Sequence, residues 1–364
     1  MANNHRNANK LIRLRSYLRE SQIDSLIVPL GINFRYLFGL MEEPSERLLV
    51  GIIEAEGPPK MLVPSFEVNR IKKLTGVQEC IGWEETSDPY NLLSELLTAK
   101  GRRIAIEPKM WFSISEKIRR KFPENELISA ECIFDPLRSV KDDIERKFLL
   151  KASQKSGDTI VEIFKELEVG ISEREVQSIL KEKLLWGPKE KSFALVQFGD
   201  NSSLPHYPGG DRTLKKNDVV LIDAGGTIEN YCGDITITTV FGKATRRFKE
   251  VYDIVFTANK RGKEAVIENK LPSEVDSATR DYISRKSYGK YFTHRTGHGI
   301  GLEVHEHPYI VGNNHTPLVP GNAFTIEPGI YLPGEFGVRI EDNVIKTESG
   351  IQTSQIPRYE LLEI

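Results

Sequence analysis

Leu11, Leu14, Tyr17 and Leu18 fall on one helical face, and the apolar run SLIVPL at 25–30 follows directly. RLLVGII (47–53), KMLVP (60–64) and RRIAIEP (102–108) predict further strands, with helical stretches such as NLLSELLTAK (91–100) between them. This alternation predicts an α/β domain. The segment FDPLRSVKDDIERK (134–147) marks a joint, where Pro136 is expected to interrupt regular structure. The expected division is therefore 1–136 and 137–364. Beyond the joint, Ile144, Phe148, Ala152, Ile160 and Phe164 recur at helical spacing. A second helix opens at Ser172 with Glu175 three residues on, a capping box. Strands are expected from about 192 to 241, helices from near 245 and near 274, and strands again at the C-terminus.

A length of 364 residues fits two cores better than one. With 39 % hydrophobic and 28 % charged residues and a net charge of −2, the chain is ordinarily globular and carries no bulk field for nucleic acid. Cys80, Cys132 and Cys232 are widely spaced, which fits a reducing compartment rather than a disulfide framework or thiolate zinc site. The polar, basic N-terminus lacks the apolar core of a secretory signal, and no apolar run approaches the roughly 18 residues of a membrane span. The expectation is a soluble, cytoplasmic protein without nucleic-acid or membrane partners.

The chemistry concentrates in the second part. FTHRTGHGIGLEVHEHP (292–308) holds four of the chain's seven histidines, His294, His298, His305 and His307. On either side stand two pairs of carboxylates. In VVLIDAGGTIENYCGDITITTVF the apolar run Val219–Ile222 ends on Asp223, and after a turn-rich stretch Asp234, Thr236 and Thr238 share one strand face. AFTIEPGIYLPGEFGVRIEDNVI repeats the arrangement with Glu327 and Glu341, Arg339 and Glu341 facing one way, Val338 and Ile340 the other. Singly, each aspartate reads equally as a turn former and Glu341 as a strand edge. Together, four carboxylates and an imidazole in one pocket need strong positive charge. One divalent cation leaves about two excess negative charges, whereas two balance the set. Such a donor set suits Mn or Co, and also accepts Zn or Fe. Two adjacent metals activate a water for hydrolysis.

The set Asp223, Asp234, His298, Glu327 and Glu341 resembles the five metal ligands of the creatinase/aminopeptidase superfamily, the "pita-bread" metallopeptidases. HRTGHGIGLEVHEHP, TIEPGIY and QFGDNSSLPHYPGGDRTLKKNDVVLIDAGG resemble its Xaa-Pro dipeptidase (prolidase) and aminopeptidase P branch. The resemblance implies an α+β fold: a pita-bread catalytic domain with a curved antiparallel sheet, preceded by a smaller α/β N-terminal domain. It implies two divalent metals, proline-containing peptide substrates and a homodimer. It implies that Glu327 bridges the metals and carries the proton to the leaving nitrogen, and that His305 stabilises the developing oxyanion. His206 and His294 would line the pocket and contact substrate. Arg339 would support the metal carboxylates or bind substrate, and His307 has no assigned role. Ile237 stands where relatives often carry Arg, which puts some contacts behind the ligands in doubt.

There is no HExxH, GHGIG is too short for a phosphate loop, and Ser202 and Ser203 lack a nucleophile elbow. Hydrolysis of Xaa-Pro dipeptides is the expected activity, with Arg295 or Arg339 receiving the substrate carboxylate. The alternative is aminopeptidase P-like removal of an N-terminal residue before proline. Methionine aminopeptidase, metal-free creatinase-type hydrolysis and a catalytically dead peptide-binding module fit the ligand set and the extra N-terminal domain less well.

Overall fold

The computed structural model describes residues 2–97, 101–358 and 362–364, with side chains from residue 9 onward. The chain separates into two compact units, Met1–Leu137 and Arg138–Ile364.

The first unit is built on a mixed six-stranded sheet. Its strands are β1 (Ser25–Pro29), β2 (Val50–Glu54), β3 (Lys60–Pro64), β4 (Glu79–Trp83), β5 (Arg103–Ile106) and β6 (Glu126–Ser129), in the order β4-β3-β2-β1-β5-β6. β1 and β2 pair antiparallel, and β1 with β5 and β3 with β4 run parallel. The helix Ala2–Glu20 buries Leu14 and Leu18 completely, each worth about 2 kcal/mol relative to exposure. The apolar runs gave β1, β2, β3 and β5. β4 and β6 carry too few buried side chains to show a period. The helical stretch at 91–100 becomes Pro89–Leu96, capped by the Asp88 side chain, and its last three residues lie outside the described residues.

Pro136 does not interrupt the chain: the helix Glu131–Ser139 runs through it, and the boundary between the two units falls just after. The next helix begins at Asp143, where Asp142 and Glu145 form a capping box, and runs to Phe164. Ile144 faces outward there, and Leu149, Ala152, Ile160, Ile163 and Phe164 make the buried stripe. Ser172 and Glu175 form the expected second capping box.

The second unit carries two antiparallel sheets and a ribbon. β7 (Ser192–Phe198), β8 (Val219–Ile228), β9 (Tyr231–Cys232) and β10 (Ile235–Val240) form one sheet, ordered β10-β8-β7 with β9 on β8. β11 (Gly297–Gly299), β12 (Glu306–Ile310), β13 (Ala323–Ile326), β16 (Asp342–Thr347) and β17 (Gly350–Thr353) form the other, ordered β12-β11-β13-β16-β17. β14 (Gly329–Leu332) and β15 (Phe336–Arg339) pair as the ribbon. A single bridge between Thr236 and Glu341 links the β10 sheet to the start of β16. The helices Arg246–Ile267 and Pro272–Arg285 cover this region, as the periodicity predicted. Among the described residues no helix is long and apolar enough to cross a membrane.

Asp223 does not end its strand. β8 continues through Gly225 and Gly226 to Ile228, because the Gly233 backbone passes so close that a Cβ at Gly225 would lie 1.8 Å from its carbonyl oxygen. The glycines that read as a turn are there for a close approach. Along β10 the alternation holds: Ile235 and Ile237 enter the apolar core with Val196 and Ile222, and Thr236 and Thr238 face the other side. Ile237 is thus a core residue pointing away from the candidate ligands.

Candidate metal centre

β8 and β10 pair antiparallel with Thr236 opposite Asp223, so the two strands deliver Asp223 and Asp234 to one side. Glu327 and Glu341 each sit at a break between strands, Glu327 between β13 and β14 and Glu341 between β15 and β16. At those breaks the backbone passes from the five-stranded sheet to the ribbon and back, which leaves the Glu341 carboxylate on Thr236 of β10 and the Glu327 carboxylate beside His298. His298 occupies the middle of β11. A Cβ at Gly297 would lie 1.9 Å from the Thr325 carbonyl oxygen, so glycine is what lets β11 lie this close to β13.

Asp234, His298 and Glu341 bring one donor atom each within 4.8 Å of one another, and all three are buried. His298 Nε2 is 3.3 Å from Glu327 Oε1 and 3.6 Å from Asp234 Oδ2. Its Nδ1 faces the Gly299 carbonyl at 3.1 Å; with the proton there, Nε2 turns its lone pair toward the carboxylates. Asp223 is held by Arg339 Nη2 at 2.6 Å through Oδ2, and its Oδ1 is buried without a hydrogen-bond partner.

The electrostatics are those of several carboxylates crowded into one buried pocket. Burial and the neighbouring carboxylates hold Asp234 and Glu341 well above their ordinary range. Burial pushes Glu327 up to about 7 against the pull of Arg339. Burial and the His305 charge push His298 down to about 3, which keeps it neutral and able to ligate. The orphaned Asp223 oxygen, the clustered carboxylates and the free Nε2 lone pair fit divalent metal ions with mixed oxygen and nitrogen ligands.

Arg339 is fully committed to this arrangement. Nε donates to Thr236 Oγ1 at 3.0 Å, and Nη1 donates to Tyr331 Oη at 2.9 Å and to the Pro205 carbonyl at 3.2 Å. Thr236 Oγ1 in turn donates a hydrogen bond to Glu341 Oε2 at 2.6 Å. His294 is half-buried, with Nδ1 on the Arg295 carbonyl at 2.7 Å and Nε2 on Tyr331 Oη at 2.9 Å. Burial pushes its pKa down to about 3, so it is neutral and Tyr331 donates to it. His305 is exposed and stands edge-on to His298, ring centroids 4.3 Å apart. Burial and the Arg295 charge lower the His305 pKa, and His206, also exposed, adds to that. Arg295 stacks over the Tyr309 ring at 4.5 Å, and His307 packs on the same ring. Sequence reasoning put Thr236 on the Asp234 face without a role, and missed Tyr331 and Thr325, whose Oγ1 accepts from the His298 backbone N–H at 3.1 Å and donates to Glu327 Oε1 at 3.2 Å. Tyr331 sits in the alternating run GIYL facing Arg339's partners, a signal visible only once β14 and β15 are paired.

Residues 147–348 match the model for metallopeptidase family M24, and residues 10–140 match the creatinase/prolidase N-terminal domain. An uncharacterized peptidase of Staphylococcus aureus is 33 % identical over 347 residues, covering 94 % of this chain and 97 % of that protein. A recombinant prolidase from Thermococcus sibiricus superposes with a TM-score of 0.89 at 32 % identity, covering 97 % of this chain and 98 % of that one. Dipeptidase PepE from Mycobacterium ulcerans gives 0.93 at 32 % identity, covering 99 % and 98 %. Other solved structures of this fold are described as an Xaa-Pro dipeptidase and an X-Pro aminopeptidase. The chain belongs to metallopeptidase family M24, with a creatinase/prolidase N-terminal domain ahead of its pita-bread peptidase domain.

Proposed function

We propose that this enzyme hydrolyses the Xaa-Pro bond of dipeptides, with Asp223, Asp234, His298, Glu327 and Glu341 holding two divalent cations, Mn or Co. The observation that carries the reading is the buried Asp234–His298–Glu341 group, with the Glu327 carboxylate 3.3 Å from the His298 lone pair. When bound, two such cations supply a water acidic enough to attack at neutral pH and polarise the scissile carbonyl.

The protein's own groups do the rest. Glu327 takes a proton on Oε and returns it to the leaving proline nitrogen. That nitrogen belongs to a tertiary amide and cannot leave without being protonated. His305 and His206, both exposed, are free to donate to the developing oxyanion and to hold the substrate. Arg339 is consumed in fixing Asp223, Thr236 and Tyr331, so the substrate carboxylate falls to Arg295, whose guanidinium lies against Tyr309. His294, engaged at both nitrogens, acts through Tyr331.

Removal of an N-terminal residue before proline from longer peptides is the second reading, favoured by the likeness to X-Pro aminopeptidases. The deciding experiment compares an Xaa-Pro dipeptide with an Xaa-Pro-Yaa tripeptide, on metal-stripped protein and after Mn or Co is restored. Metal-dependent cleavage of the dipeptide alone is the expected result. Cleavage of the tripeptide moves the assignment to the aminopeptidase, and silence on both contradicts proline specificity.

A further inference from the structure

The helix Glu173–Lys183 does not need its first side chain. Ser172 caps it and Glu175 completes the capping box. Yet Glu173 is fully buried, an expensive place for a carboxylate. Among the described residues its hydrogen-bond partners are neutral N–H groups of one segment. Oε1 accepts from the Phe198 backbone N–H at 2.7 Å and from Asn201 Nδ2 at 2.9 Å. Oε2 accepts from the Gly210 backbone N–H at 2.8 Å and from Asn201 Nδ2 at 3.0 Å.

Phe198 and Gly210 are the two ends of the loop that carries His206. Gln197, equally buried, donates to the carbonyls of Leu204 at 2.9 Å and Tyr207 at 2.7 Å, and Arg339 donates to the carbonyl of Pro205. The backbone on both sides of His206 is therefore held from below, with the ring itself exposed. A polar loop with an exposed histidine has little apolar surface to order it. Charge-assisted hydrogen bonds to a buried carboxylate supply that order instead.

We propose that Glu173 is a positioning residue for His206: its buried carboxylate ties the ends of the 198–210 loop together and so presents the imidazole to the substrate pocket. The proposal rests on the assignment of His206 as a substrate-contacting group. Removing the anchor leaves the metal ligands in place and misplaces one imidazole, the kind of error that costs about 10²-fold in turnover.

The test is a double-mutant cycle on the Mn-loaded protein, with amide hydrogen exchange of the 199–210 segment as an independent readout. Glu173→Gln in the wild-type background is expected to lower kcat/KM on an Xaa-Pro dipeptide about 10²-fold, and in the His206→Ala background less than about threefold. Exchange is expected to speed up in 199–210 and to stay unchanged in β8. Asn201→Ala, a milder cut in the same hub, should act in the same direction and stands in for Glu173→Gln should that variant not fold. Equal losses in both backgrounds, or unaltered exchange in the loop, overturn the proposal. Wild-type protein inactive on the dipeptide overturns the functional reading and with it the role in turnover, while the exchange measurement still decides the anchoring.

Discussion

The two units treat charge in opposite ways. In residues 9–137 the buried charged side chains among those described are Lys10 and Glu107, and ion pairs such as Arg103–Glu126 and Arg47–Glu85 lie at the surface. The second unit buries Lys141, Glu145, Glu173, Asp234, Asp276, His298, Glu306, Arg339, Glu341, Asp342, Lys346 and Arg358. A fold needs no such charge for stability, since burying an ion pair gains little over apolar packing. The difference points to the chemistry because four of these, Asp234, His298, Arg339 and Glu341, converge on the candidate centre.

The sharpest way to break the comparison is at the ligands. His298→Ala should cost roughly 10³-fold or more in kcat/KM and remove metal binding, measured by hydrolysis and by titration calorimetry. Undiminished metal uptake in this variant would take His298 out of the centre. Arg339→Lys comes next. A lysine cannot reach Asp223, Thr236, Tyr331 and Pro205 together, so a loss of about 10²-fold in kcat/KM is expected with the fold intact by circular dichroism.

How much of this was legible in the sequence follows the same divide. Alternation along β10 placed Asp234, Thr236 and Thr238 on one face because each strand residue alternates sides, and the structure keeps that face. The family motifs pointed to Asp223, His298, Glu327 and Glu341 without showing that two of these sit at breaks between sheets rather than within strands. Glu173 and Tyr331 were invisible because their partners are set by the fold: Phe198 and Gly210 lie far along the chain from one, and the other meets His294 from a distant segment and Arg339 across the β14–β15 pair. Local period reports burial, and long-range hydrogen bonds leave no period. Pro136 misled for the converse reason, a local rule overridden by a helix that tolerates it.

Smaller effects sharpen the contrast between buried and exposed pairs. Glu306 accepts from Lys141 Nζ at 2.8 Å and also pairs with Arg138, all in the interior. Glu306→Gln should cost about 3 kcal/mol of unfolding free energy, because buried Lys141 loses its counter-charge and Arg138 keeps only Glu303. Glu126→Gln, which breaks the exposed pair with Arg103, should change stability by less than about 0.5 kcal/mol. Matched denaturant curves check both, and equal costs would erase the contrast.

The pH dependence should follow. Burial alone would raise the Glu306 carboxyl, yet the charges of Lys141 and Arg138 hold it below its ordinary 4.5. A depressed acid contributes stability above its unfolded value and loses it as pH falls through the folded one. Stability should therefore drop as the solution is acidified below about 4.5, and Glu306→Gln should flatten that limb. An unchanged acid limb would show that the pair carries no linkage.

The most direct test of the central claim is to titrate metal-stripped protein with Mn(II) while following Xaa-Pro dipeptide hydrolysis. Two equivalents should bind per chain, with activity appearing as the carboxylate cluster fills. Full activity in the metal-free protein, or no specific uptake of metal, would contradict it.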